Sequence, residues 1–277
     1  MPMYQQLKIF SGTANPDLTR KIADQIGVPI GKASIRRFSD GEIFSEVQEN
    51  VRGIDVFVVQ PTCTPVNENL MELLILLDTL KRASADRVTA VIPYYGYARQ
   101  DRKTQPRTPI TSKLVADLIT AAGANRLLAL DLHAGQIQGF FNIPFDHLYA
   151  NTVFLDFINK QIPADNRVII SPDAGGTERA RAYAKRLDAD LAIIDKRREA
   201  PNESAVMNII GNVKDRNILL VDDLIDTAGT FYHAVKALQN AGAKEVYGAC
   251  THPILSGPAI ERLEKSAVKT VFVTDSV

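Results

Sequence analysis

The stretch VDDLIDTAGT, residues 221–230, combines side chains that could hold an anion with side chains that could hold hydroxyl groups. Backbone N–H groups and hydroxyls at the start of a helix bind anions, and a glycine lets the backbone approach closely. The adjacent carboxylates Asp222 and Asp223 would repel an anion unless hydroxyl groups intervened. A sugar diol that donates to them, beside a loop for its phosphate, reconciles these features. The candidate phosphate-binding positions are Asp226, Thr227, Ala228, Gly229 and Thr230.

An ordinary helix N-cap is the simpler interpretation of this loop. A cap, however, needs only one polar residue, usually Ser, Thr, Asp or Asn. Because several polar residues and a glycine occur together here, the pattern favours a binding site.

The elements that must position this loop occur twice in the chain. Each block is expected to form strand, loop, helix and strand. Short apolar runs at 56–59 and 218–221 are typical of central strands in a parallel sheet, and helical spacing appears at 69–80 and 231–238. The paired blocks are 8–42 with 168–199, 54–93 with 216–253, and 109–134 with 256–276.

The repeat predicts an α/β fold with two duplicated domains, each a mainly parallel sheet flanked by helices. A length of 277 residues agrees with two domains of about 100–150 residues. We place the domains at residues 1–148 and 149–277, with QIPADN (161–166) as a connector. In such sheets ligands bind at the carboxyl ends of strands, so the loops there are the places to search.

Composition excludes several classes of protein. Lys and Arg number 32 and Asp and Glu number 32, which argues against a general binder of nucleic acid or membranes. The expected absence of a membrane helix follows from apolar runs well short of about 18 residues. The first residues lack the layout of a signal peptide, and Cys63 and Cys250 have no motif around them. We therefore expect a cytoplasmic protein with reduced, buried thiols.

A basic insertion distinguishes the first copy from the second. Residues 92–114 carry Arg99, Arg102, Lys103 and Arg107, whereas the equivalent connection at 251–258 is much shorter. The insertion could close as a lid on a polyphosphate. A solvated basic loop is an equally ordinary interpretation of the same residues.

Taken in order, six stretches together resemble ribose-phosphate diphosphokinases, also called phosphoribosyl diphosphate synthetases. VDDLIDTAGT alone also resembles the motif of phosphoribosyltransferases, and the inserted lid separates the two families. The resemblance covers nearly the whole chain and implies two phosphoribosyltransferase-like domains. The stretches are RRFSDGE (36–42), YARQD (97–101), DLHAGQIQGFF (131–141), SPDAGGTERA (171–180), DKRRE (195–199) and VDDLIDTAGT.

The resemblance implies an activity in nucleotide biosynthesis. Such an enzyme transfers the diphosphoryl group of ATP to the C1 hydroxyl of ribose 5-phosphate and releases AMP, with Mg²⁺ as cofactor. It implies that Asp222, Asp223, Arg198 and the loop 226–230 bind ribose 5-phosphate. It assigns catalysis to Lys196, Arg198 and Arg99, because fixed cations stabilise the negative charge of the transition state. Without the resemblance, residues 196–198 could also be a solvated surface run.

The resemblance also implies an ATP site and a metal site. The metal positions are His133 and Asp173, which suffice because Mg²⁺ keeps several waters. From the residues alone, a lone histidine is more often structural, and Phe38 could be a core residue before a turn. The ATP-binding positions are Phe38, Asp40 and Glu42, supplied by a neighbouring subunit, together with Arg99, Gln100, Asp101 and His133.

Members of this family are expected to form homo-oligomers, in the common class hexamers built from dimers. The resemblance places a regulatory site at Arg52, Gln138 and Asp146. Further regulatory serines would follow beyond residue 276, where the family pattern continues. Two other hypotheses are a phosphoribosyltransferase that uses a nucleobase and a non-catalytic homologue that regulates an active synthetase. The duplicated fold with a lid disfavours the former, and the intact motifs disfavour the latter.

Overall fold

The computed structural model describes residues 7–197 and 206–277 of this chain, which divides into two compact units. The first unit extends to Leu148 and also includes Asp275–Val277, and the second is Tyr149–Thr274. The last residues belong to the first unit because the Asn15 amide donates to the carbonyl of Asp275 at 2.8 Å. The Lys21 ammonium also lies 2.6 Å from the Asp275 carboxylate.

A parallel sheet forms the centre of the first unit. Within the described residues its strand order is β1-β4-β5-β6-β7, and every neighbouring pair is parallel. The strands are β1 (Leu7–Ser11), β4 (Asp55–Val59), β5 (Arg87–Ile92), β6 (Arg126–Leu130) and β7 (Phe145–Leu148). An antiparallel hairpin stands apart from this sheet and consists of β2 (Ala33–Arg37) and β3 (Ile43–Val47).

Helices cover the sheet and bury apolar side chains against it. The helical segments are α1 (Pro16–Ile26), α2 (Val66–Arg82), α3 (Thr111–Ala122) and a 3-10 helix (Gly135–Phe140). Helix α1 begins at Pro16 because the Asn15 side chain accepts from the Leu18 N–H at 3.0 Å and proline suits the first helical position. It ends at Ile26 and is followed by Gly27, whose φ of 76° favours glycine.

The second unit repeats this arrangement around a sheet of strand order β10-β9-β8-β11-β12-β13 within the described residues. Only the β9–β10 pair among these described strands is antiparallel. The strands are β8 (Arg167–Ser171), β9 (Asp190–Arg197), β10 (Val206–Ile210), β11 (Asn217–Ile225), β12 (Glu245–Pro253) and β13 (Val268–Val273). The helices are α4 (Asn151–Gln161), α5 (Thr177–Leu187), α6 (Gly229–Asn240) and α7 (Ala259–Lys265).

The predicted fold class, two duplicated α/β domains with mainly parallel sheets, is confirmed. The predicted helices at 69–80 and 231–238 lie inside α2 and α6. The copies differ at one edge. The β9–β10 hairpin continues the sheet of the second unit, whereas the β2–β3 hairpin of the first unit is separate.

Two details differ from the sequence prediction. Strand β11 does not end before its carboxylates but runs on to Ile225, because β12 pairs with it over that length. The connector predicted at 161–166 overlaps the last residue of α4, so a helix precedes it. None of the described helices has the length and apolar character needed to cross a membrane.

Candidate active site

Strand β11 carries Asp222 and Asp223 past the end of the neighbouring strand β8. The pairing of β11 with β8 stops at Leu220, whereas its pairing with β12 continues to Ile225. One side of β11 is therefore open where the two carboxylates lie. This is the carboxyl edge of the sheet, the position at which ligands bind in open α/β folds.

Burial and a nearby arginine set the electrostatics of the carboxylate pair. Asp223 is 3% exposed, and Nη1 of Arg179 on α5 lies 3.2 Å from its Oδ1 and 3.8 Å from Oδ1 of Asp222. Burial, followed by the negative charge of Asp223, raises the pKa of Asp222 well above its usual value. Arg179 opposes that rise in pKa, so the arginine partly neutralises the pair. Arg179 was not predicted from the sequence. The feature that could have indicated it is its position in the first turn of a helix that follows two glycines.

The loop 226–230 does not form an ordinary N-cap. Helix α6 begins at Gly229 after Ala228, whose φ is 56°, and no side chain caps the helix. Ala228 at the cap position therefore offers no side-chain acceptor to the N–H groups of the first turn. Backbone N–H groups at such a helix start can bind an anion.

Helix α7 holds this loop from outside. Nη1 of Arg262 donates to the carbonyl of Thr227 at 2.8 Å, and the N–H of Ser256 donates to the carbonyl of Asp226 at 2.9 Å. Arg262 also lies near Gly229, where a Cβ would be 3.4 Å from its Nη1. The arginine fixes the loop and brings a positive charge to it. Sequence reasoning missed it because it lies 32 residues beyond the motif's last residue, on a short helix.

Asp173 lies in the loop between β8 and α5 and close to the carboxylate pair. The N–H of Gly176 donates to its Oδ1 at 2.9 Å, and Oγ of Ser171 donates to its carbonyl at 2.5 Å. Its negative charge adds to the effects that raise the pKa of Asp222. The second unit therefore brings Asp173, Asp222 and Asp223 to one edge of its sheet. Among the described residues, no cluster of three or more His, Cys, Asp or Glu side chains is arranged to hold a metal ion.

The predicted basic pair is described only in part. The backbone of Lys196 lies in β9 opposite Met207, and its side chain is outside the described part of the structure. Arg198 lies outside the described residues. The strand nevertheless carries Lys196 along the same sheet as β8 and β11.

The predicted adenine-binding residues lie at the turn of the β2–β3 hairpin. Phe38 is 44% exposed, so it is not the core residue that its local sequence would allow. The Arg36 guanidinium lies 5.0 Å from the centre of its ring. The turn closes by hydrogen bonds from the Phe38 N–H to the Glu42 carbonyl and from the Glu42 N–H to Asp40 Oδ1. An exposed aromatic ring beside two carboxylates could stack on a base and accept from it.

A groove of about 440 Å³ adjoins this hairpin. Arg37 and Glu68 form an ion pair of 2.8 Å at its wall. Its lining residues are Arg37, Gly41, Glu42, Ile43, Asn67, Glu68, Met71 and Ile75.

The lid residues follow β5 and are attached to the start of α3. The hydroxyl of Thr111 donates to Oε1 of Gln100 at 2.5 Å, and the Ser112 N–H donates to the Gln100 carbonyl at 3.1 Å. Arg99 is exposed and Asp101 is half-buried. Gln100 thus anchors the segment while its neighbour Arg99 remains at the surface.

His133 is exposed and lies three residues past the end of β6. The N–H of Leu132 next to it donates to Nε2 of His147 at 3.0 Å. His147 therefore helps to place the loop that carries His133.

The three predicted regulatory residues have separate neighbours. Asp146 accepts two hydrogen bonds from Arg126, at 2.5 and 3.0 Å, and these lower the pKa of its carboxyl group. The Gln138 amide donates to the carbonyl of Gly135 at 2.8 Å. Arg52 is exposed in the loop before β4.

The fold and the loop 226–230 define the class as phosphoribosyltransferase-like. The family described as "Phosphoribosyl transferase domain" matches residues 149–276. The family described as "N-terminal domain of ribose phosphate pyrophosphokinase" matches residues 7–123.

Individual relatives identify the family more closely. A ribose-phosphate pyrophosphokinase of Fusobacterium nucleatum is 57% identical over 99% of this chain and 87% of its own length. One from Clostridium perfringens is 56% identical over 99% of this chain and 86% of its own length. The crystal structure of phosphoribosylpyrophosphate synthetase from Mycobacterium smegmatis matches with a TM-score of 0.93 and 42% identity, over 99% of this chain and 90% of that one. The chain belongs to the ribose-phosphate pyrophosphokinase family, as its motifs predicted.

Proposed function

We propose that this protein transfers the diphosphoryl group of ATP to the C1 hydroxyl of ribose 5-phosphate, giving 5-phosphoribosyl 1-diphosphate and AMP. The observation that carries the proposal is the β11–α6 connection. It joins a carboxylate pair, of which Asp223 is buried and Asp222 half-buried, to a loop whose helix start has no side-chain cap. The names of the relatives, ribose-phosphate pyrophosphokinases, agree with this reaction.

Ribose 5-phosphate is assigned to the second unit. Its phosphate would accept from the first turn of α6, where the loop 226–230 is held by Arg262. Its ring hydroxyls would donate to Asp222 and Asp223. These hydrogen bonds would replace those of water at the carboxylate of Asp222, whose pKa burial raises. Arg179 would keep the pair partly neutral until the sugar arrives.

ATP is assigned to groups of the first unit and to the basic pair Lys196 and Arg198. Phe38, with Asp40 and Glu42, would hold the adenine of a nucleotide bound to a neighbouring subunit. Arg99, Gln100 and Asp101 would hold the polyphosphate of ATP in the same subunit. Lys196, Arg198 and Arg99 would stabilise the charge that develops on the diphosphoryl group during transfer.

Mg²⁺ is the proposed cofactor, with Asp173 and His133 as its proposed protein ligands. Asp173 presents an exposed carboxylate whose Oδ1 is held by Gly176, and His133 is an exposed imidazole beside a fixed loop. Few protein ligands suffice because Mg²⁺ keeps several waters. When bound, the ion would neutralise phosphate charge during the transfer.

We also propose that the protein acts in the cytoplasm as a homo-oligomer, a hexamer built from dimers. Buried thiols at Cys63 and Cys250 fit a reducing compartment. Exposed apolar side chains on α4, Val153 and Phe157, are suitable for contact with another copy. Regulation is proposed at Arg52, Gln138 and Asp146.

The decisive experiment measures AMP release from ATP by the purified protein. We expect AMP only when ribose 5-phosphate and Mg²⁺ are both present, together with one 5-phosphoribosyl 1-diphosphate for each AMP. Release of ADP, or AMP formation that ignores ribose 5-phosphate, would contradict the proposal. Incubation of 5-phosphoribosyl 1-diphosphate with free nucleobases is the control for phosphoribosyltransferase activity, and we expect no nucleotide.

A further inference from the structure

The first unit contains a buried carboxylate, Glu72, where the second unit has its anion loop. Helices α2 and α6 can be aligned on their last residues, Arg82 and Asn240, since each is followed after four residues by a strand. Glu72 then corresponds to Thr230 of the anion loop. The alignment is supported by buried positions that coincide: Leu73, Leu76, Leu77 and Leu80 with Phe231, Ala234, Val235 and Leu238.

Helix α2 is extended at its start in comparison with α6. It has 17 residues and begins at Val66, whereas α6 has 12 and begins at Gly229. The five additional residues form more than one turn. In this alignment, the first turns of α2 therefore occupy the chain positions that form the anion loop of the second unit.

The Glu72 carboxylate is bound as an oxyanion would be. It is 2% exposed. The Thr13 N–H donates to its Oε1 at 2.6 Å, the Thr13 hydroxyl donates to its Oε2 at 2.7 Å, and the Gln60 amide donates to its Oε1 at 2.9 Å. A backbone N–H, a hydroxyl and an amide are neutral donors that satisfy a buried anion.

The loop after β1 is built around this contact. Gly12 is required there, because a Cβ would lie 2.1 Å from Oε1 of Gln60. The Ala14 N–H donates to the same Gln60 oxygen at 3.1 Å. Gln60 follows β4 directly, as Asp222 follows the matching apolar run in β11.

We propose that the Glu72 carboxylate acts as an internal anion, which occupies an oxyanion-binding site in the first unit and so blocks it. The donors of Thr13 and Gln60 form a site for a small oxyanion such as sulfate or phosphate, and the carboxylate of the protein itself occupies it. Ribose phosphate is thereby confined to the second unit, although the two folds are duplicates. The comparison of the two loops rests on the proposed ribose 5-phosphate site, whereas the Glu72 contacts do not.

The test removes the carboxylate and offers an external anion. In Glu72→Ala, hydrogen exchange of the backbone amides of residues 12–18 is measured by mass spectrometry in sulfate and in chloride at equal ionic strength. We expect exchange about tenfold faster than in the native protein in chloride, because donors to a charged group lose their acceptor. Sulfate should restore slow exchange in this variant and leave the native protein unchanged.

Asp78→Ala is the matched control, because it removes a surface carboxylate from the same helix, where Asp78 pairs with Arg82. We expect no sulfate effect on residues 12–18 in this variant. An equal sulfate effect on the native protein, or none on Glu72→Ala, would overturn the proposal.

If Glu72→Ala does not fold, Glu72→Gln decides the question. Its neutral amide oxygen accepts from the Thr13 N–H more weakly than a carboxylate does, so exchange of residues 12–18 should be faster than in the native protein. Unchanged exchange would overturn the proposal. These experiments report on the first unit alone, and a negative result leaves the proposed ribose 5-phosphate site untouched.

Discussion

At the scale of single residues, Asp222 and Asp223 place two carboxylates where burial disfavours charge. Burial is the largest cause of the raised pKa of Asp222, and the charge of Asp223 is the next. Arg179 offsets only part of this cost. Binding sites commonly retain such unfavourable groups, because the function needs them and stability does not.

We therefore predict that Asp222→Asn makes the ligand-free protein more stable, by about 1 kcal/mol at neutral pH, while weakening ribose 5-phosphate binding. The asparagine keeps the shape and removes a buried like charge. Thermal unfolding in EDTA without substrates, and the KM for ribose 5-phosphate, are the measurements. A less stable variant would show that Asp222 contributes favourably as an ion.

The same residue gives a pH dependence with a defined sign. A folded-state pKa above the unfolded value of about 3.9 means that the folded protein binds the proton more tightly. The contribution of Asp222 to stability is therefore complete below that value and is lost as the pH rises through the folded pKa. We expect the stability gap between Asp222→Asn and the native protein to widen from about pH 4 towards neutral pH, as followed by unfolding at several pH values. A gap that narrows with rising pH would contradict the assigned cause.

At the scale of elements, the β11–α6 connection depends on a helix that lies later in the chain. Arg262 of α7 donates to the Thr227 carbonyl at 2.8 Å. The helix contributes no residue to the motif itself, yet its side chain fixes the shape of the loop.

We predict that Arg262→Ala raises the KM for ribose 5-phosphate by roughly tenfold with a much smaller change in the KM for ATP. The loop would lose both a hydrogen bond and a nearby positive charge. Steady-state kinetics with each substrate varied in turn gives the measurement. Arg262→Lys is the control, since it keeps the charge and should recover part of the binding. Equal weakening of both substrates would point to a general loss of structure.

At the scale of the whole molecule, the proposed active site needs more than one subunit. The resemblance assigns Asp40 to the nucleotide of a neighbour, whereas Lys196 would stabilise the transition state in its own subunit. The turn that carries Asp40 is at the surface beside the exposed ring of Phe38, as a shared site requires.

We predict that Asp40→Ala and Lys196→Ala are each nearly inactive alone and that activity reappears when the two are co-assembled. In a mixed oligomer, the Asp40→Ala subunit supplies an intact Lys196 to its own site. A neighbouring Lys196→Ala subunit supplies an intact Asp40 to that same site. AMP release by the mixture, compared with that of each variant treated in the same way, is the measurement. If native mass spectrometry detects mixed oligomers and activity is still absent, the assignment of Asp40 to a neighbour is wrong.

The sequence by itself determined the fold class, the duplication and the family. Apolar runs and helical spacing are local patterns, and the motif 221–230 is contiguous in the chain. Such features can be predicted because the residues that carry them are neighbours in sequence. The motif residues of the second unit, with Asp173, were also named from the sequence, although their roles remain proposals.

Only the tertiary structure placed Arg179 and Arg262 beside the motif, and only it showed Glu72 between the donors of Thr13 and Gln60. The extension of β11 to Ile225 likewise depends on β12, not on local propensity. These contacts join residues that are far apart in the chain, and nothing in the local sequence specifies which long-range partner a side chain will meet. Packing of helices on the sheet decides that, and it placed Glu72 of α2 against the loop that follows β1.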